Sequence, residues 1–448
     1  MKHSLEQLRR GELQGTRRLN LAGGLSEFPR EIFSLADSLE ILDLSGNRFS
    51  SLPADLPRLG KLRILFCSDN EFTELPEVLG QCPGLTMVGF KANRIGRVGP
   101  DALPPGLRWL ILTDNRIEAL PDRIGHCGQL QKLMLAGNRL RTLPPTLAAC
   151  TNLELLRLAA NELHELPDWL LSLPRLSWLA YGGNPLCAAH ELAAVAETPI
   201  PAVPWDELQI YQPLGEGASG VIHRAEQRRG GGPRPAAVKL FKGAVTSDGL
   251  PRSEMAACFA AGAHPSLIPV LGQVTDHPAG TQGLVMPLID GEFANLAGPP
   301  SLDSCTRDIY APAARFAPET LLALARNVAS AAGHLHRRGI MHGDLYGHNI
   351  LHGGQGRVLL GDFGAASLFT PGTPRAQDLQ RLEVRAFGVL LEELLVRCAA
   401  PSAASQWAAE LAALAAVCLD PQPAARPLFA DIEARLAGLA ALSPGRPA

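Results

Sequence analysis

The stretch L39-E-I-L-D-L-S-G-N47 places leucines at 39, 42 and 44 and an asparagine at 47. The same phrase, L-x-x-L-x-L-x-x-N, returns at Leu107–Asn115, Leu130–Asn138 and Leu153–Asn161. Looser copies end at Asn70, Asn93 and Asn184, and Gly24 holds the asparagine slot of a degenerate first copy. The slots at 24, 47, 70, 93, 115, 138, 161 and 184 are 23 residues apart, with one step of 22. Most copies run on into a Leu-Pro pair, such as Leu52-Pro53 and Leu143-Pro144. A unit this short cannot bury its apolar face alone, so successive copies must stack into one continuous core. Each copy is expected to form a short strand with two inward leucines, its asparagine bonding backbone groups at the bend.

These residues resemble the leucine-rich repeat family, with eight copies in register over residues 1–184. The resemblance implies an N-terminal solenoid. Strand alternation predicts which side chains leave its concave face. They make an apolar ribbon of Ile64, Phe66, Met87, Trp109, Ile111 and Met134, with Trp178 in the same phase of the last copy. A sheet surface facing water should be more polar, so the ribbon predicts a docking site for a protein partner or regulator. Cover by the second half of the chain or by another copy of it is the alternative. Cys82, Cys127 and Cys150 share one repeat phase and Cys67 takes a strand leucine's slot, so these four read as small core residues. Between 185 and 204 the pattern stops: HELAAVAE (190–197) predicts a short capping helix and TPIPAVP (198–204) a stiff linker.

Composition narrows the function classes. The chain has 448 residues, 46% of them hydrophobic, and a formal net charge of −3. That excludes a disordered chain and leaves no charge surplus for binding nucleic acid or anionic membranes. The first residues lack the apolar run of a secretory leader, and stretches such as Leu411–Leu419 fall far short of the ~20 residues of a membrane helix. Nine cysteines cannot all pair within one chain. A cytoplasmic protein with reduced thiols is the expectation. Lysine is rare, six against 35 arginines, which makes each lysine's position informative.

From Trp205 the periods change to short apolar strands, then to helices after about residue 318. LGEGASGVI (214–222) supplies Gly215, Gly217 and Gly220, and AAVKLF (236–241) carries Lys239, one of two lysines in the second half. A lone G-x-G-x-x-G also marks dinucleotide sites, so the glycines gain meaning only beside that lysine. Glu254 follows on a helical stretch, then LVMPLI (284–289), HGDLYGHNIL (342–351), LLGDFG (359–364) and CLDPQPAARPLFADI (418–432).

In this order the motifs resemble the protein-kinase family over residues 205 to about 440, and domain 205–448 is assigned to it. The whole is similar to bacterial-type cytoplasmic leucine-rich repeat protein kinases: a multidomain α/β chain, a solenoid followed by a two-lobed α+β kinase fold. The resemblance implies ATP and Mg2+ as cofactors. It assigns Leu214, Gly215, Glu216, Gly217, Ala218, Ser219, Gly220, Ile222 and Ala237 to the ATP pocket, with Met286 and Leu288 at the adenine hinge. Lys239 with Glu254 would fix the phosphates, Asn349 and Asp362 would hold the metal, and Asp344 would orient the attacking hydroxyl or accept its proton.

Three departures from the family pattern stand out. Gly343 replaces the arginine of H-R-D, so a phosphorylated activation loop cannot lock the site through that arginine. Tyr346 occupies the slot that is lysine in most Ser/Thr kinases, and His348 is expected to substitute in part. No A-P-E is recognisable: about twenty residues separate Asp362 from the helix LEVRAFGVLLEELL, in which Glu383 stands for the usual aspartate. Arg426 accordingly lacks its glutamate partner, and the long segment 290–317 reads as a loop beside the site. The expected activity is a protein kinase, Ser/Thr rather than Tyr, directed by its repeats. A nucleotide-sensing pseudokinase scaffold and a small-molecule phosphotransferase are the alternatives.

Overall fold

The 23-residue period becomes a ladder of parallel three-residue strands in a computed structural model, which describes residues 3–197, 200–217, 219–229, 232–243, 245–246, 248–399 and 406–442. Ala218, one of the expected ATP-pocket residues, lies outside the described residues. The chain divides into two units, Met1–Arg175 and Leu176–Ala448.

In the first unit, α1 (Leu5–Arg9) is capped by Ser4 and precedes β1 (Arg18–Asn20), β2 (Ile41–Asp43) and β3 (Ile64–Phe66). The ladder continues through β5 (Met87–Gly89), β7 (Trp109–Ile111), β8 (Lys132–Met134) and β9 (Leu155–Arg157). A two-stranded side ladder joins β4 (Glu74–Leu75) to β6 (Arg97–Val98), and α2 (Asp168–Leu171) lies near the unit's end. Register pairs like with like: Ile41 with Ile64, Ile64 with Met87, Met87 with Trp109, Trp109 with Lys132. The inward residues Leu42, Leu65, Val88, Leu110, Leu133 and Leu156 are all fully buried.

The asparagines tie each turn to the repeat before it. Asn115 donates to the carbonyls of Phe90 (2.9 Å) and Leu112 (3.0 Å), while its Oδ1 accepts the N–H of Ile95 (2.9 Å). Asn138 and Asn161 repeat the arrangement. Three bonds from one buried amide satisfy backbone groups that a bend would otherwise orphan. Cys67, Cys82, Cys127 and Cys150 are buried free thiols, and burial raises the pKa of each.

The apolar ribbon is less open than the alternation rule predicts. Phe66, Trp109, Ile111 and Met134 keep part of their surface, but Ile64 and Met87 are each only 4% exposed. Side chains in neighbouring strands pack across the ladder: the Phe66 ring closes over Gly89, where a Cβ would meet it at 2.6 Å. Lys132 lays its ammonium 4.3 Å from the Trp109 ring centre, a cation–π contact.

The second unit begins inside the eighth repeat, so its strand and Asn184 belong here rather than with residues 1–175. That strand is β10 (Trp178–Ala180), followed by the capping helix α3 (Ala188–Glu197). The supposed linker contributes β11 (Ala202–Pro204), an edge strand parallel to β15 (Gly272–Thr275). Its backbone donors and acceptors have a sheet edge within reach, which an isolated stiff linker lacks. The sheet continues through β16 (Gly283–Pro287), β14 (Gly232–Phe241), β13 (Gly220–Arg229) and β12 (Leu208–Glu216), in that spatial order. Val203, Val238, Val274 and Val285 form its core, and α4 (Pro251–Ala261) carries Glu254.

The helical lobe is built from α5 (Pro318–Arg337), α6 (Pro374–Leu395), α7 (Gln406–Cys418) and α8 (Phe429–Leu442). Small two- and three-residue strands sit beside them: β17 (Ala294–Asn295), β18 (Ile340–Met341), β19 (Ile350–His352), β20 (Val358–Leu360) and β21 (Ser367–Leu368). In α5, Leu321, Leu324, Ala325, Val328, Ala332 and Leu335 recur at helical spacing and are buried together. Helix α6 begins at Pro374, well before the LEVRAFG run: Thr373 caps it by accepting the Ala376 N–H at 3.1 Å, and proline at the first position needs no donor. Only residues 363–373 therefore lie between Asp362 and that helix. No helix among the described residues is long and apolar enough to cross a membrane.

Candidate active site

The glycine turn joins two strands whose register fixes Lys239. The Gly217 N–H donates to the Gly220 carbonyl at 2.9 Å and closes the β12–β13 hairpin. A Cβ at Gly220 would stand 2.5 Å from the Leu240 carbonyl oxygen, so only glycine fits the close strand. Gly215 and Gly217 instead face open space, Glu216 pairs with Lys242 at 2.5 Å, and Ser219 is buried. Leu214 is half-exposed, and Ile222 pairs with Gly215 on one side and Lys239 on the other. At the expected hinge, Ala237 pairs with Met286, and Leu288 follows β16 partly buried.

Lys239 reaches two carboxylates. Its Nζ bonds Glu254 Oε1 and lies 3.4 Å from Asp362 Oδ1. The Lys239 and Glu254 side chains are 8% and 3% exposed. Burial alone would lower the lysine's pKa, but Asp362 and Glu254 outweigh it and hold the ammonium protonated, above its usual range. A buried charge of this kind persists only with partners.

The segment from 342 to 349 is a closed loop held from below. Asn349 Nδ2 donates to Asp344 Oδ2 (2.7 Å) and to the Asp344 carbonyl (2.9 Å). Glu383, on α6 and 1% exposed, accepts the N–H of Gly343 (2.7 Å) and of His342 (3.2 Å) and pairs with His336 Nε2 at 2.7 Å. Burial would raise its pKa, yet the His336 contact holds it below the usual carboxylate range. Gly361 N–H donates to the Asn349 carbonyl at 3.2 Å, which brings the Asp362 turn beside Asn349. Asp362 sits in the left-handed region, φ 56°, with its side chain accepting the Gly364 N–H, a backbone state that costs about 1–3 kcal/mol outside glycine.

Sequence reasoning missed Asp308. Its carboxylate is fully buried and uses both oxygens on one residue, the N–H of His348 (3.0 Å) and His348 Nδ1 (2.7 Å). Burial pulls the His348 imidazole down, but the hydrogen bond to Asp308, with the charges of Asp344, Asp308 and Asp362, outweighs it and raises its pKa. Asp308 lies in segment 290–317, which has no hydrophobic period and no spaced partner, so nothing in the sequence singled it out. Arg426 donates to the Asp420 carbonyl at 2.8 Å and to the Arg381 carbonyl at 3.2 Å, and burial lowers its pKa to about 10.

Trp178 is the clearest correction. Read as a ribbon residue open to a partner, it is 1% exposed. Its Nε1–H donates to the Leu345 carbonyl at 3.1 Å, and its ring stacks on Tyr346 at 4.2 Å with planes 8° apart. Repeat phase was the same as in the other copies; what differs is the catalytic-lobe loop it meets, far away in sequence.

Comparison with known proteins agrees with this architecture. Residues 208–385 match the family of protein tyrosine and serine/threonine kinases, and residues 38–59 and 128–186 match leucine-rich repeat families. The chain thus joins leucine-rich repeats to a protein-kinase domain. A "Probable serine/threonine-protein kinase" of Arabidopsis thaliana is 30% identical over 112 residues, covering 25% of this chain and 18% of that protein. A DNA damage-responsive serine/threonine-protein kinase of Deinococcus radiodurans is 32% identical over 161 residues, 35% of this chain and 21% of the relative. A leucine-rich repeat and calponin homology domain-containing protein of Drosophila melanogaster is 33% identical over 107 residues, 23% of this chain and 13% of the relative. The chain spans about a fifth or less of the length of these relatives.

Proposed function

We propose that the chain is an ATP-dependent protein kinase acting on serine or threonine hydroxyls, with its leucine-rich repeats receiving a protein partner or regulator. The observation that carries this reading is the buried Lys239–Glu254 pair, reaching Asp362 on one side, together with an Asp344 held by Asn349. Asn349 and Asp362 offer the oxygen donors that Mg2+ prefers, and their turns are joined by a backbone hydrogen bond, so the residues present fit that ion. Bound Mg2+ would neutralise phosphate charge. Lys239, fixed by Glu254, would orient the α- and β-phosphates; the open glycine turn would let backbone N–H groups approach them. Asp344 would orient the substrate hydroxyl and take its proton. Little covalent chemistry is asked of the protein, so positioning and charge account for the rate.

For the repeats, Phe66, Trp109, Ile111 and Met134 are the part-exposed residues that support partner docking. The near-neutral charge of the chain favours an apolar contact over electrostatic capture.

The test is transfer of labelled phosphate from ATP with Mg2+ to a generic protein and to the chain itself. Lys239→Met and Asp344→Asn should each cut the rate by at least about a hundredfold. Nucleotide binding without transfer in the wild type would replace this reading with the pseudokinase scaffold.

A further inference from the structure

Residues 363–373 are too few to build a long activation segment and substrate platform, yet the loop around Asp344 is firmly packed. Its support comes from the eighth repeat. Leu345 and Tyr346, the two residues after Asp344, are held respectively by the Trp178 indole N–H at 3.1 Å and by the Trp178 ring stacked at 4.2 Å. The neighbouring repeat residues reach the same region. Ser177 Oγ accepts from Arg385 Nη1 on α6 at 2.7 Å, and the Tyr181 N–H donates to Ser367 Oγ on β21 at 2.9 Å. Between them, the Leu179 carbonyl passes so near Gly343 that a Cβ there would meet it at 2.7 Å. One repeat segment, residues 177–181, therefore touches the loop before Asp344, the loop after it, the strand that follows Asp362, and the helix beneath.

We infer that Trp178 is a positioning residue for phosphoryl transfer, acting through Leu345 and Tyr346, and that the eighth repeat does the supporting work of the shortened activation segment. This rests on the kinase reading above. Besides the Arg307 guanidinium 5.8 Å from its ring centre, the indole makes these two contacts of different kind with the loop, and they can be removed separately. Phenylalanine keeps an aromatic face for Tyr346 and deletes the donor to Leu345; alanine deletes both. Misplacing a reacting group by about an ångström lowers rate by roughly a hundredfold while leaving nucleotide contacts intact. Lys239, Glu254 and the glycine turn, which would bind ATP, lie on other elements and make none of these contacts.

The experiment compares wild type, Trp178→Phe, Trp178→Ala and Asp344→Asn in the full chain. It measures kcat, KM for ATP, affinity for a non-hydrolysable ATP analogue, and hydrogen exchange of the amides at 342–349. The expected result for Trp178→Ala is a kcat lower by about 30- to 100-fold, with KM and analogue affinity within about twofold of wild type and faster exchange confined to that loop. Trp178→Phe should fall between, and it carries the test if the alanine variant does not fold. Wild-type kcat in both variants would overturn the positioning role while leaving the kinase reading intact. If wild type and Asp344→Asn are equally inert, the kinase reading fails. The support role is then judged by exchange alone, and unchanged protection at 342–349 in the Trp178 variants overturns it.

Discussion

At Gly343 the backbone has φ +73°, and an added Cβ would stand 2.4 Å from the Ala365 carbonyl oxygen and 2.7 Å from that of Leu179. Glycine enters the left-handed region without steric penalty; arginine, the residue the family pattern has here, does not. The departure noted in the sequence thus has a steric origin: two backbones close on this residue, and one of them belongs to the eighth repeat. Gly343→Arg should lower unfolding free energy by at least about 3 kcal/mol, and Gly343→Ala by less, read from urea midpoints. Midpoints equal to wild type would contradict the close approach. At this scale the sequence was most legible where a rare residue stood at a fixed motif spacing. Lys239 was found because lysine is scarce, and Glu254 because the motif order places it. Asp308 was not, since a buried carboxylate in an irregular segment leaves no periodic trace.

Helix α6 and the segment 290–317 meet around Glu393. Tyr310 donates to Glu393 Oε2 at 3.1 Å, and the Arg397 guanidinium lies 3.8 Å over the Tyr310 ring. Burial first, then the nearby Asp308, raises the Glu393 pKa to about 7 from 4.5. The native state therefore keeps this proton at pH values where the unfolded chain has released it. Stability from this group is full below about pH 4.5 and is lost as pH rises through about 7. At about 1.4 kcal/mol per pH unit of separation, the loss is on the order of 3 kcal/mol. Glu393→Gln, which holds the neutral shape, should flatten the fall in unfolding free energy between pH 5 and 8, whereas an unchanged slope would assign it to other groups. The elements themselves show where patterns inform. The 23-residue period defined the strands of the first unit, and motif order defined the sheet carrying Lys239. The segment TPIPAVP looked like a linker because a three-residue edge strand has no alternation to display, and its pairing with Gly272–Thr275 depends on a partner some seventy residues away.

For the molecule as a whole, the boundary falls at 175/176 and not at the last asparagine of the repeat series. Periodicity alone cannot place such a boundary, because the eighth copy obeys the same leucine spacing as the seven before it. Its allegiance is decided by Trp178, Ser177 and Tyr181, whose partners at Leu345, Arg385 and Ser367 are remote in sequence. A fragment spanning 176–448 should unfold cooperatively. One beginning at 205 would uncover Tyr346 and leave Ser367 and Arg385 without these contacts. It should show a lower melting temperature or precipitate, and equal melting of the two fragments would contradict the assignment.

The shared repeat also bears on how such a gene can be recombined. Whole 23-residue units can be gained or lost upstream of residue 176 without touching Leu345, Tyr346, Arg385 or Ser367, the partners that the eighth repeat meets in the lobe, so the array's length is free to drift. Transplanting the phosphotransfer lobe is constrained differently: a crossover placed in the apparent linker would strip away its last structural piece. Viable exchanges are those in which the eighth repeat travels with the lobe it supports.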